Sequence, residues 1–308
     1  MAKIFVTVFT PTYNRAKTLS ELYASLKKQT FKNFEWIVVD DGSADNTKKC
    51  VETWIKEKII NIRYIYQANH GKHIAMNRAV HLAKGELFTV VDSDDCLLPD
   101  ALEILVNAWN EIPRSEWGEY CSVKSNCIDL TTGEKLGPEF ETGKVVCSYL
   151  EARYRKKINY EMQSLTRTEV LREFPNPEIL GGAEHGGLRF YPETIWQDLA
   201  GRKYKTIFID KCTCAYRRDL PESLLGRGKK YNRYRENIHL WAHIINDNMD
   251  YFFFCPGEFI KSFIGMSMDG FFNKFSIGQV LSRINGFGKR LGVLIFYPVG
   301  YLCYIKRK

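Results

Sequence analysis

Four times in its first hundred residues the chain runs from a β-rich apolar stretch into a polar loop and then into a helix-patterned segment. The four β-rich runs are "KIFVTVFT", "FEWIVVDDGS", "NIRYIYQ" and "ELFTVVDSDD". Between them lie "RAKTLSELYASLKKQ", with Leu19, Leu22, Tyr23 and Leu26 at helical spacing, "SADNTKKCVETWIKE", with Ser43 or Asp45 as its cap, and "GKHIAMNRAVHLAKG", ending at Gly85. A fourth helix is predicted from about Pro99 to Glu111, with proline at its start. This alternation predicts an α/β fold with crossover helices. Ligands of open α/β sheets gather outside the carboxyl ends of the strands, so "TPTYNR", "DDGS", "QANHGKH" and "DSDD" are expected to share one crevice.

Beyond residue 115 the pattern loosens. "TTGEKLG" predicts a hairpin turn, "VCSYLEARYRKK" a short helix, "TIWQDLAGRK" a further helix, and "YKTIFIDKCTCAYRR" two strands. The Gly- and Pro-rich stretch from Phe174 to Glu193 is too broken for one packed element and predicts a binding loop that supplies the acceptor side. From about residue 225 the chain turns helical and aromatic. It closes on a 15-residue apolar stretch, Leu291 to Ile305, interrupted by Pro298 and two glycines and bracketed by Lys289, Arg290, Lys306, Arg307 and Lys308. That is short for a spanning helix, and the basic flanks predict a monotopic anchor on anionic lipid; the alternative is an element packed on the core.

Nine cysteines without a CxxC pair argue for reduced thiols rather than a disulfide frame or a zinc site. The start of the chain reads as a strand and not as a signal peptide, which predicts a cytoplasmic location. A formal net charge of +8 suits an anionic substrate, a nucleic acid or an anionic membrane. The basic residues are dispersed and no nucleic-acid motif is present, so no nucleic-acid partner is expected.

"VVDSDDCLLPD" puts Asp92, Asp94, Asp95 and Asp100 close behind an apolar run. Carboxylates so crowded raise one another's pKa unless a cation compensates. Asp92 and Asp94, two apart at a strand end, are candidate ligands of a hard divalent cation whose shell a phosphate completes, while Asp95 and Asp100 can equally cap the following helix. One of Asp40 and Asp41 is expected to accept hydrogen bonds from a ribose or base, unless "DG" only makes a turn. Lys72 follows a glycine at a helix start and can meet phosphate there. His239 and His243, at i and i+4, lack a third ligand and read as a helix face.

The stretches "VTVFTPTYNRAKTLSELYASLKKQTFKNFEWIVVDDGSADNT" and "NHGKHIAMNRAVHLAKGELFTVVDSDDCLLPDAL" resemble the nucleotide-sugar domain of inverting family 2 glycosyltransferases with the GT-A fold, over about residues 3 to 110. The resemblance implies a Rossmann-like mixed sheet flanked by helices. It places a GT-A domain at about 1–220, with a nucleotide-sugar half to about 115 and an acceptor half from 116, and a helical, membrane-associating extension at 221–308. It also implies that Thr10, Pro11, Tyr13, Arg15, Asp40, Asp41, Lys72, Asp92 and Ser93 line the donor, and that Asp92 and Asp94 share Mn²⁺ or Mg²⁺ with the diphosphate. Family members often carry an "ED" pair before a helix and a "YR" strand. Here "FYPETIWQDLAG" stands in that place, so Glu193 is the first choice for the catalytic base, with Asp198 and Glu184 as alternatives. Arg217 is expected to contact phosphate or to pair with an acid.

The expected activity is transfer of a sugar from a nucleotide diphosphate sugar, a UDP-sugar first, to a glycan or lipid-linked glycan in surface polysaccharide synthesis at the inner membrane face. Two alternatives are a nucleotide-sugar-binding subunit without catalysis and a sugar-phosphate nucleotidyltransferase. The second would carry a Gly-rich loop after the first strand, and "TPTYNRAKTLS" has no glycine.

Overall fold

In the computed structural model, which describes residues 4–178, 187–218 and 233–308, the four β-rich runs form parallel neighbours in the order β3 (Asn61–Tyr66), β2 (Phe34–Asp40), β1 (Val6–Thr12) and β4 (Leu87–Val90). β2 is buried along its whole length and β1 almost so, as parallel strands covered on both faces should be. The intervening helices are α1 (Ala16–Lys27), α2 (Thr47–Glu57) and α3 (Lys72–Leu82), and α4 (Ala101–Asn110) follows a two-residue strand β5 (Cys96–Leu97). α1 buries Leu19, Leu22, Tyr23 and Leu26, and the Tyr23 ring stacks on Trp54 of α2 and Trp36 of β2 (centroids 4.5 and 6.0 Å). Asn46 is the cap residue of α2, but the Asp45 carboxylate accepts from Thr47 N (3.0 Å) while Ser43 Oγ accepts from Asn14 N (2.8 Å).

The second half extends the same sheet. Its elements are β6 (Tyr120–Asp129), β7 (Lys135–Leu136), β8 (Lys144–Ser148), α5 (Tyr149–Tyr154), β9 (Met162–Arg167), α6 (Thr168–Glu173), α7 (Glu193–Gly201) and β10 (Lys205–Tyr216). The strand order continues β4-β9-β6-β10-β5, with β7 on β6 and β8 on β10, so the sheet is mixed. β9 runs antiparallel between β4 and β6, in registers that include Phe88↔Thr166 and Asn126↔Met162. The start of β9 therefore lies beside the carboxyl end of β4.

Three local expectations change. The segment expected as two strands is one strand, β10, which stays continuous although its register against β6 shifts on either side of Cys212. "VCSYLEARYRKK" splits into the end of β8 and α5, since Ser148 Oγ accepts from Glu151 N (3.1 Å) and starts the helix only there. The apolar tail is not interrupted: Pro298 lies inside a continuous helix, α11 (Phe287–Arg307). An interior proline costs a helix about 3 kcal/mol, which tertiary packing has to offset.

That packing comes from a helical C-terminal region. α8 (Tyr234–Asp247), α9 (Pro256–Phe272), α10 (Ile277–Leu281) and α11 enclose Ile238, Ile245, Phe263, Met266, Val280, Ile284 and Val293. Gly300 brings α11 close to α9, where an added Cβ would stand 2.5 Å from Ser267 Cβ and 3.0 Å from Ile264 O. A second cluster of Leu150, Tyr154, Ile244 and Phe259 joins this region to the sheet. All nine cysteines are free thiols.

Candidate active site

The strand-end loops converge as expected, and each is tied to its neighbour. Asn14 Oδ1 accepts from Ala44 N (2.8 Å), linking the loop after β1 to that after β2. Asp40 is buried and accepts from Ser43 N (2.8 Å) and the Tyr64 hydroxyl (2.6 Å). Asp41 accepts from Gln67 Nε2 (2.8 Å), His70 N (2.9 Å) and Gly71 N (2.9 Å). Both carboxylates shape the loops that carry the site. Thr10 is fully buried and accepts from Trp36 Nε1 (3.0 Å), Ser93 is buried, Pro11 and Arg15 are half-buried, and Tyr13 stands exposed at the rim.

Gly71 fixes what comes next. Its φ is +95°, and a Cβ there would meet Leu188 O at 2.4 Å and Arg189 O at 2.8 Å, so only glycine lets the second half cross the start of α3. Lys72 N donates to Arg189 O (2.7 Å), latching that crossing four residues before Glu193. The Lys72 side chain consequently reaches two of the predicted functional carboxylates at once: its Nζ lies 2.8 Å from Asp92 Oδ1 and 3.0 Å from Glu193 Oε1. Burial pulls the ammonium pKa down, but the charges of Asp92 and Glu193 outweigh it and hold Lys72 above the usual lysine range.

The turn after β4 is closed by Asp95 N donating to Asp92 O (3.1 Å). Arg217, at the end of β10, secures it from outside: its backbone N donates to Asp95 Oδ1 (2.9 Å), its Nε to Asp94 O (3.0 Å), and its guanidinium pairs with Glu21. Arg217 thus pairs with an acid and holds the acidic turn. Burial, then the charge of Asp92, push the Asp95 carboxyl up to about 9 and also raise Asp94, which Arg15 and Lys72 partly oppose. A divalent cation bound at this turn would offset the crowding of carboxyl groups that raises them. Among the described residues no three His, Cys, Asp or Glu side chains converge into a complete metal shell. Asp92 and Asp94 fit an ion that takes its remaining ligands from phosphate and water, as Mg²⁺ and Mn²⁺ do.

In the second half of the chain, Glu193 is the first residue of α7, where a helix-start acid is also favoured by the dipole; here the same position turns it to Lys72. Asp198, one turn further, does not face the crevice. It is fully buried and receives Arg153 NH1 (3.0 Å), Asn248 Nδ2 (2.7 Å) and His243 Nε2 (3.2 Å), tying α7 to α5 and to the C-terminal helices. Glu184 lies outside the described residues. His243 is occupied by Asp198 and Asp247, and His239 packs on the Tyr191 ring (5.5 Å).

Sequence reasoning missed three polar residues around Glu193. Lys124 of β6 is buried, with Nζ 3.2 Å from Gln197 Oε1, and Glu161 immediately precedes β9. Burial, opposed by the charges of Glu193 and Glu161, lowers the Lys124 pKa; desolvation, then Glu193 and Asp92, raise that of Glu161. A lysine in the middle of "YCSVKSNCID" was the available signal for Lys124; nothing marked Glu161.

A mixed sheet flanked by helices, with its strand-end loops tied together along one edge, is the architecture of GT-A glycosyltransferases, and comparison with known proteins agrees. The family described as Glycosyl transferase family 2 matches residues 7–123. The Campylobacter jejuni GalNAc(5)-diNAcBac-PP-undecaprenol beta-1,3-glucosyltransferase is 31% identical over 237 residues, 75% of this chain and 70% of that protein. With some other curated relatives the match spans only about a third of the relative's length. Among solved structures, Staphylococcus aureus TarS 1-349 in complex with UDP-GlcNAc superposes with a TM-score of 0.62 at 18% identity, covering 99% of this chain and 92% of that one. A mannosyltransferase from Pyrobaculum calidifontis in complex with GDP-Man and Mn²⁺ does so at 0.50 and 20% identity, over 78% and 61%. The chain belongs to glycosyltransferase family 2.

Proposed function

We propose that this protein is a metal-dependent, inverting glycosyltransferase that moves a sugar from a UDP-sugar to a glycan or lipid-linked glycan acceptor, in surface polysaccharide synthesis at the inner face of the membrane. The observation that carries the reading is the Lys72 ammonium bridging Asp92, from the donor loops, and Glu193, from the acceptor half. Bound nucleotide sugars in the fold neighbours and Mn²⁺ in one of them support the donor and the cation. The undecaprenol-linked substrate in the name of the Campylobacter relative supports a lipid-linked acceptor.

In this account Arg15, Pro11, Tyr13 and the buried Asp40–Asp41 loops frame the nucleotide, and Lys72 and the acidic turn meet the diphosphate. Asp92 and Asp94 would hold a divalent cation, which when bound would supply positive charge to the leaving diphosphate. Glu193 accepts the proton of the acceptor hydroxyl as that oxygen bonds to the anomeric carbon; the carbon–phosphate-oxygen bond breaks on the opposite face, which inverts the centre. The division of labour follows: residues 1–220 act as the transferase domain, in halves meeting near 115, and 221–308 as a membrane-associating extension.

No described helix is long and apolar enough to cross a membrane. The outer face of α11 nevertheless presents Phe287, Leu291, Leu294, Ile295, Leu302 and Ile305 to solvent, while Val293 and Gly300 pack inward, and basic residues stand at both ends. Such a face suits shallow insertion among anionic lipids. For the cation, Asp94→Ala should abolish the Mn²⁺ dependence of UDP affinity in a calorimetric titration while the unfolding temperature stays near wild type; an unchanged Mn²⁺ effect would remove Asp94 from the metal site.

A further inference from the structure

Lys124 bonds to Gln197 on the α7 face that carries Glu193, and Glu161, just before β9, lies within electrostatic reach of both Glu193 and Lys124. Lys124 is only 7% exposed, and its Nζ is fixed by Gln197 Oε1 (3.2 Å) and by the Tyr149 ring, 4.8 Å from the centroid. An ammonium has three N–H donors, and a buried donor left without an acceptor is costly. Gln197 follows Glu193 by one helical turn on α7 and so shares its face. Glu161 stands at the start of β9, which the antiparallel register places beside the carboxyl end of β4 and the acidic turn. Both Glu193 and Asp92 act electrostatically on Glu161, as do Lys72 and Lys124 with opposite sign. Counted whole, this wall sets three carboxylates, Asp92, Glu193 and Glu161, against two ammoniums, Lys72 and Lys124.

We propose that Glu161, Lys124 and Gln197 form the acceptor subsite and grip the hydroxyls of an uncharged pyranose beside Glu193. The inference rests on the glycosyltransferase reading above. The ammonium donates to one sugar oxygen, the carboxylate accepts from a neighbouring hydroxyl, and the amide can do either, which suits adjacent hydroxyls on one ring. The excess of carboxylates repels uronic acids and sugar phosphates, so selection is partly by charge.

The test is saturation-transfer NMR on the full chain saturated with UDP and Mn²⁺, using methyl pyranosides alongside the matching uronic acids and 6-phosphates. The neutral glycosides should bind in preference to the anionic ones. Glu161→Gln, on an exposed residue, and Lys124→Met, close to isosteric, should each weaken that binding at least tenfold while UDP affinity stays at the wild-type value. Preference for the anionic sugars, no binding of neutral ones, or binding unchanged in both variants would overturn the subsite. If the wild type itself fails to bind UDP, the nucleotide-sugar reading fails instead.

Discussion

The Lys72 ammonium lies between a carboxylate of the first half of the chain and one of the second. Lys72 is four-fifths covered and has Asp92 and Glu193 within 3.0 Å. Removing it would leave two carboxylates facing each other without their cation, and an arriving diphosphate would meet that repulsion. Lys72→Met should therefore weaken UDP-sugar binding about tenfold or more, and Lys72→Arg should retain part of it, as fluorescence titration of the donor would show. Asp41 belongs to the same residue-scale picture: the three N–H groups it receives order the loop that presents Lys72, so a contact with ribose or base would come on top of a structural duty. Asp92 and Lys72 were marked because they sit where a pattern changes, at a strand end and after a glycine, and Glu193 because the family resemblance puts an acid in its place. The sequence could not mark their meeting, which depends on the Leu188–Arg189 backbone crossing Gly71.

At the scale of elements, α9 carries a buried acid whose titration reports on the helical region. Asp269 is fully buried, accepts from Trp241 Nε1 (2.7 Å), and burial pushes its carboxyl up to about 7 from an ordinary 3.8. A carboxyl with a folded-state pKa above its unfolded value favours folding when protonated. That contribution is complete below about pH 4 and is lost as pH rises through 7. Asp269→Asn keeps an acceptor for Trp241 and removes the titration, so its stabilising effect should be greater at pH 8 than at pH 5 by about 2 kcal/mol, measured by chemical denaturation. Elements were legible in proportion to how local their causes are. The first four strands and helices follow from their own periodicity, and the structure keeps them within a few residues. β6 and β9, which complete the sheet, were not singled out because their pattern is half polar, with Lys124, Asn126 and Gln163 buried inside the strands and hydrogen-bonded there. The continuity of α11 through Pro298 was equally hidden, because it depends on α9 packing against Val293 and Gly300.

At the scale of the molecule, the Asp198 cluster joins the transferase sheet to the C-terminal helices, and α11 turns an apolar face outward. Ile295 and Leu302 are 62% and 60% exposed, so polar replacements there leave the inward packing untouched. Ile295→Gln with Leu302→Gln should reduce co-sedimentation with vesicles containing anionic phosphatidylglycerol at least fivefold without lowering the unfolding temperature; unchanged sedimentation would assign that face to another role. The central claim is that one chemical site is assembled from both halves of the sheet, with Glu193 as the base facing the donor loops. The most direct test compares donor hydrolysis and donor binding by wild type and Glu193→Gln across a panel of nucleotide sugars, with Mn²⁺, with Mg²⁺ and with EDTA. The account predicts metal-dependent turnover of one donor that falls at least a hundredfold in Glu193→Gln, with binding retained. Turnover unchanged by Glu193→Gln would contradict it.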